Sequence, residues 1–385
     1  MLRHKEVCRQ RTEEETPMTR SGPRTLALAV GALLIASCDE SPTQPDAAAT
    51  APPVAWLLAQ PGTWLIRGEA TPDRIWRYWA AAEAVTDASQ HSTVYVLGGR
   101  LNQAPSDPPA TSILAYDMAI DRWTTKASQF RGAATNGIGR VRQTLYISGG
   151  WNFSGDPSQW TDVSSRLFAY DVAHDRLTRK ADMPLGAAEG VTGVINDKLY
   201  VLAGKCVGQP LCRNFYRYDP STNVWTQLPP APNSHRHGAG AAIGSKLYVA
   251  GGGASPYRAF DVYDAVTNRW SSPGLLPPRR QFAVGTAVKG RFWVVGIAGG
   301  ERDGGFADRN TLAYNPATNT WRNESGYPGP TGEGGQFLLR PYAAVRVFFE
   351  GAQYLFAVGS GHLFTDDTVK PAGTIDPGPP YIYTP

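Results

Sequence analysis

Leu247-Tyr248-Val249-Ala250-Gly251-Gly252, followed by Tyr263-Asp264 and then Trp270, decides the fold of this chain. A short run of aliphatic and aromatic residues closed by glycine reads as a buried strand whose end bends or lets another backbone come close. Five further runs share its shape: residues 94–99 (VYVLGG), 145–150 (LYISGG), 199–204 (LYVLAG), 292–296 (FWVVG) and 355–359 (LFAVG). They recur at a spacing of roughly 50 residues, the period of a four-stranded repeat unit. A second element follows five of the runs: Tyr116-Asp117 before Trp123, Tyr170-Asp171 before Leu177, Tyr218-Asp219 before Trp225, Tyr263-Asp264 before Trp270, and Tyr314-Asn315 before Trp321. Turn formers such as Pro220-Ser221-Thr222-Asn223 separate the aromatics, which predicts a hairpin. Asn196-Asp197-Lys198 and Gly244-Ser245-Lys246 predict a second turn ahead of the glycine runs. Each unit therefore holds four antiparallel strands.

The double glycine with a separated Tyr and Trp resembles the kelch family, over roughly residues 63–385. The resemblance implies an all-β fold, a six-bladed β-propeller, with five or seven blades as alternatives. Leu177 stands for a Trp, Ala203 for a Gly, and Gly296 and Gly359 lack the second Gly. The sixth unit ends at Tyr381-Ile382-Tyr383 without its last strand, and Thr63-Trp64-Leu65-Ile66 reads as that strand. The N-terminal strand is thus expected to complete the C-terminal blade, which removes an open sheet edge.

Composition agrees with many short strands and turns. The 385 residues include 41 Gly, 31 Pro, 11 Trp and 17 Tyr. Glycine and proline both penalise helix interiors. A formal net charge of +4 offers no nucleic-acid-binding surface. Arg20 and Arg24 precede an apolar run from Leu26 to Ile35 that ends at Ala36-Ser37-Cys38. Basic residues, a short apolar stretch and small residues are the parts of a secretory signal. The run is too short to span a bilayer, which takes about 20 apolar residues. Cys38 after Ala36-Ser37 resembles a bacterial lipobox. The expected layout is a signal peptide over 1–37 (Met18 being the more natural initiator), a lipidated Cys38 with a flexible tether over 38–60, and the propeller over 61–385. The reading is therefore a lipid-anchored, monomeric protein of the bacterial cell envelope, periplasmic or at the cell surface. Cys206 and Cys212 lie close together in a predicted loop, and outside the cytoplasm they fit a disulfide, with reduced thiols as the alternative.

In a four-stranded blade, loops after the second strand share a face with the segments that lead into the innermost strands. Long loops on a rigid scaffold are the usual place of function. Those segments predict a ligand face carrying Trp79, Arg100, Arg131, Trp151, Glu189, His235, Arg236, His237, Arg280 and Arg302. Arginine offers paired donors to carboxylates, and aromatic rings offer flat apolar surface to sugars. An Arg or His at this step is also a common kelch consensus residue that packs or caps a turn. His235 and His237 alternate and could grip a metal on a strand, but no third ligand is identifiable, so neither metal nor cofactor is expected. The copper chemistry of galactose oxidase, a kelch-type relative, needs a spare Cys that this chain lacks. Expected partners are an envelope protein or a glycan. The alternative is a mutarotase or epimerase acting on an acidic sugar such as sialic acid, by analogy with six-bladed kelch enzymes.

Overall fold

The computed structural model describes residues 61–66, 77–78, 80–101, 110–130, 137–151, 163–253, 257–297, 310–327, 337–363 and 381–385. Among them are six four-stranded antiparallel sheets and no helix. Blade 1 runs Ala81–Thr86, Ser92–Leu97, Ser112–Asp117 and Arg122–Gln129. Blade 2 is Ile138–Val141, Thr144–Ser148, Leu167–Asp171 and Arg176–Lys180. Blade 3 is Val191–Ile195, Lys198–Leu202, Phe215–Asp219 and Val224–Leu228. Blade 4 is Ala239–Ile243, Lys246–Ala250, Ala259–Asp264 and Arg269–Leu275. Blade 5 is Gln281–Val288, Arg291–Ile297, Asn310–Asn315 and Thr320–Gly326.

Blade 6 is assembled from both ends of the chain. Phe337–Phe349, Ala352–Leu363 and Tyr381–Tyr383 are joined at the outer edge by Trp64–Ile66, with Trp64 opposite Tyr383. The expected six-bladed ring and its closure are both met. Two ribbons add to it: Arg77–Tyr78 pairs with Arg100–Leu101, and Ala187–Ala188 with Lys205–Cys206.

The burial pattern explains why these sequences form this fold. The second strands are buried on both faces, as in Lys198–Leu202, because a neighbouring blade covers each side. That is why they read as continuous apolar runs rather than alternating ones. Six hydrophobic clusters result, one between each pair of neighbouring blades, and together they close the circle. The outermost strands, such as Val224–Leu228, are largely exposed and polar.

The hairpin between the third and fourth strands repeats one device. Tyr170, Tyr218, Tyr263 and Tyr314 donate their hydroxyls to Asp175, Asn223, Asn268 and Asn319 at 2.7–2.8 Å. Tyr116 does the same to Asp121. All five acceptors adopt left-handed backbone angles with φ of 47–58°. Asn and Asp tolerate that conformation better than other side chains. The residue after each Tyr caps the turn, as where Asp219 Oδ1 accepts from the Ser221 amide at 3.0 Å. The Trp of the fourth strand packs on the Tyr with centroids 5.0 Å apart in blade 3, and its Nε1–H donates to Ala181 O of blade 2's trailing loop at 2.8 Å.

The glycines at the ends of the second strands exist for the approach of a neighbour. A Cβ on Gly252 would stand 2.4 Å from Arg236 O and 2.5 Å from Gly238 N. Its own amide donates to Arg280 O in the next blade's lead-in at 2.8 Å. A Cβ on Gly204 would lie 2.0 Å from Glu189 O, so no side chain fits there.

Candidate functional site

The loops that leave the second strands meet the segments that lead into the inner strands, on one end of the central channel. Glu189 sits in the middle of this mouth. The Trp151 indole N–H donates to its Oε1 at 3.2 Å, the Arg236 Nε–H donates to Oε2, and His237 Nε2 lies 3.3 Å from Oε2. Glu189 is 7% exposed, so its carboxylate is saturated by the protein. Lys205 places its ammonium over the Trp151 ring, 4.1 Å from the centroid, a cation–π contact. Burial pushes the Lys205 ammonium below its usual range; Arg236 adds to this and Glu189 opposes it. The His237 ring packs on Phe282, with centroids 4.4 Å apart.

Backbone geometry holds these side chains in place. Glu189, His237 and Phe282 occupy the same step of blades 3, 4 and 5, and all have left-handed φ of 54–59°. For residues with a side chain that conformation costs roughly 1–2 kcal/mol each. A relay of hydrogen bonds offsets it: His237 N–H to Glu189 O at 2.9 Å, then Ala283 N–H to His237 O at 3.1 Å. The loop opposite is stapled by the Cys206–Cys212 disulfide. Its Pro210 carbonyl accepts from Arg236 Nη1 at 3.5 Å.

Of the ten residues expected on this face, Trp151, Glu189, Arg236 and His237 come together. Trp79, Arg131 and Arg302 lie outside the described residues. Arg100 lies in the ribbon with Tyr78. Two are corrected, because their side chains turn inward. His235 is fully buried, with Nδ1 2.8 Å from Gly251 O and Nε2 3.0 Å from Asp261 Oδ2. Burial alone would raise the Asp261 carboxyl, but hydrogen bonds from His235, Ser272 and Asn233 outweigh it and hold it low. Arg280 is also fully buried, donating to Asn310 O at 2.9 Å and to Arg279 O at 3.2 Å. Residues 235–238 form a turn, not a strand, so the two histidines do not share a direction. Among the described residues no three His, Cys, Asp or Glu are gathered as metal ligands.

The sequence reading missed the charges inside the channel. The six inner strands enclose a cavity of about 470 Å³ lined mostly by Ala, Gly, Val and Thr. Glu83, Arg140 and Arg346 also line it. The available signal was a charged residue within a strand otherwise built of small ones, as in Ala81-Ala82-Glu83-Ala84.

Residues 133–334 match the family model of the KLHDC2/KLHL20/DRC7 Kelch-repeats domain. The chain belongs to the kelch-repeat family. This kelch propeller is 30% identical over 179 residues to human Kelch repeat and BTB domain-containing protein 12, covering 43% of the chain and 29% of that protein. It is 26% identical over 253 residues to Kelch-like protein terF of Aspergillus terreus, covering 60% of the chain and 55% of the relative. The chain thus spans about half or less of the length of these relatives. The solved structure of YjhT superposes with a TM-score of 0.58 over 76% of this chain and 93% of that one. At 15% identity this likeness concerns the fold alone.

Proposed function

We propose that this kelch propeller is an exported binding module of the bacterial cell envelope, and that its channel mouth takes an acidic glycan or an acidic segment of an envelope protein. Lys205 on the face of Trp151 carries this reading. Among the described residues of the mouth Glu189 is already matched by Arg236 and His237, so Lys205 presents surplus positive charge beside an aromatic ring. Burial has weakened its hold on its proton, and an incoming carboxylate supplies the missing counter-charge. The ring supplies an apolar face of the kind that sugars stack on.

The alternative, a mutarotase or epimerase of an acidic sugar, needs an acid–base group that reaches the ligand. Among the described residues Glu189 is the carboxylate at the mouth, and both its oxygens are engaged by the protein, which counts against that role. Thermal shift against acidic sugars, their neutral counterparts and acidic peptides tests the binding reading. Stabilisation by an acidic ligand, with about ten-fold weaker binding in Lys205→Ala, is expected. Equal response to the neutral counterparts would overturn it. Faster anomeric exchange of sialic acid, followed by NMR, would favour the enzyme. Anchoring is tested separately by mass spectrometry of the mature N-terminus, where acylated Cys38 is expected and an unmodified soluble chain counts against it.

A further inference from the structure

The channel beyond the mouth carries charges that neither the family resemblance nor the mouth site uses. Glu83 comes from blade 1, Arg140 from blade 2 and Arg346 from blade 6, and all three line the same cavity. Glu83 Oε1 accepts the Ala84 amide at 2.9 Å. Among the described residues neither arginine makes an ion pair with it. Burial pushes the Glu83 carboxyl above its usual range, and the Ala84 bond and the charges of Arg140 and Arg346 only partly offset this. Burial likewise pushes Arg346 down, with Glu83 opposing. Arg140 donates Nη1 to Arg142 O at 3.1 Å, and Arg346 lies 5.3 Å from the Phe348 ring.

Two guanidinium groups and one carboxyl therefore line one cavity, whose other walls are mostly small residues, with Glu189, His237 and the rings of Phe282, Tyr342 and Phe348 beside them. A guanidinium offers five N–H donors in a planar fork that matches a carboxylate. Ala82, Ala84, Val194 and Val284 leave room for a short hydrocarbon chain.

We propose that the channel binds a small aliphatic monocarboxylate, its oxygens held by Arg140 and Arg346 and its tail lying along the alanine and valine walls. The site uses side chains of the inner strands and takes a smaller ligand, in the same cavity that Glu189 and His237 of the mouth also line. The test is calorimetric titration of the full chain with butyrate, with butyramide and matched chloride as controls. Saturable binding of butyrate is expected, with none of butyramide. Arg140→Met and Arg346→Met should each weaken it about ten- to a hundred-fold. Glu83→Gln should keep it, because the two arginines hold the carboxylate and the change removes no guanidinium. Should an arginine variant fail to fold, NMR of the unmodified protein gives an independent reading: butyrate, and not butyramide, shifts arginine Nε–H resonances. Binding no tighter than chloride, indifference to both arginine changes, or unshifted arginine resonances would each overturn the proposal.

Discussion

Blades 3 and 6 make the same contacts from different chain geometry. In blade 3, Tyr218 and Trp225 belong to one hairpin and their rings stand 5.0 Å apart. In blade 6 the same pair is Tyr383 and Trp64, also 5.0 Å apart, drawn from opposite ends of the chain. Both indoles donate to the blade before: Trp225 to Ala181 O at 2.8 Å, Trp64 to Ser325 O at 3.2 Å. The aromatic pair and its inter-blade bond are thus kept in blade 6 although the turn between them is dispensed with, while blade 2 keeps the turn and replaces the Trp by Leu177. The turn matters for entropy. Replacing a short turn by a closure spanning nearly the whole propeller is roughly five doublings of loop length, which at about 0.6 kcal/mol each comes to about 3 kcal/mol.

The largest effect expected from that difference lies in the two tryptophans. Trp225→Ala removes a half-buried ring and should cost about 3 kcal/mol in urea unfolding. Trp64→Ala removes an equivalent ring from a strand of three residues that no turn retains. It should cost more, and hydrogen exchange at residues 381–383 should rise while residues 215–219 stay protected. Equal losses with equal exchange would show that the closure is no weaker than a covalent hairpin.

A smaller effect separates the blades through the residue that blade 6 lacks. Asn223 Oδ1 accepts from the Tyr218 hydroxyl at 2.7 Å and from the Ala181 amide at 2.9 Å, at φ 58°. Asn223→Ala leaves a buried hydroxyl unmatched, for about 1–3 kcal/mol, and adds left-handed strain of about 1 kcal/mol. Asn223→Gly should keep only the first loss. Asn223→Asp should be nearly neutral, since Asp175 fills this role in blade 2. A ranking with Gly as costly as Ala would remove backbone strain from the account. Tyr383 has no such partner in its own turn; its hydroxyl reaches Glu324 at 3.4 Å.

These devices differ in how far the sequence exposes them. The Tyr, the Asn or Asp five residues on, and the Trp are local in sequence, and their turn chemistry is local too, so the hairpins could be read directly. The closure could be read because blade 6 ended without its Trp and Trp64 stood unassigned. The mouth was legible only in part. His235 and Arg280 stand two residues before His237 and Phe282 in the same lead-in segments, and they turn inward because the lead-in backbone folds onto Gly251 and Gly252. That reversal depends on a neighbour about 15 to 30 residues away, and no local periodicity carries it. Glu83, Arg140 and Arg346 were missed for another reason: they are far apart in sequence and become neighbours only when six strands close into a ring.

The smallest effect is in pH, and it treats the two blades differently at the two extremes. Burial first, then Tyr146 and Asp219, pushes the Tyr218 phenol up to about 12. Burial and Glu324 do the same to Tyr383, also to about 12. A raised phenol contributes stability that is complete below about 10, the unfolded value, and is lost as pH rises through 12. Both blades should loosen in that window, and exchange at 381–383 should lead because no turn holds that strand. In acid the order should reverse. Lys198 and Ser221 hold Asp219 down to about 2, so its contribution is complete above about 4 and disappears as pH falls through 2. Thr384 follows Tyr383, and blade 6 has no aspartate at that step to protonate. Exchange at 215–219 should therefore rise between pH 4 and 2 relative to 381–383, and Asp219→Asn should abolish the rise. If 381–383 opens first at both extremes, the missing turn alone decides the order, and the Lys198–Asp219 pair contributes nothing that can be measured.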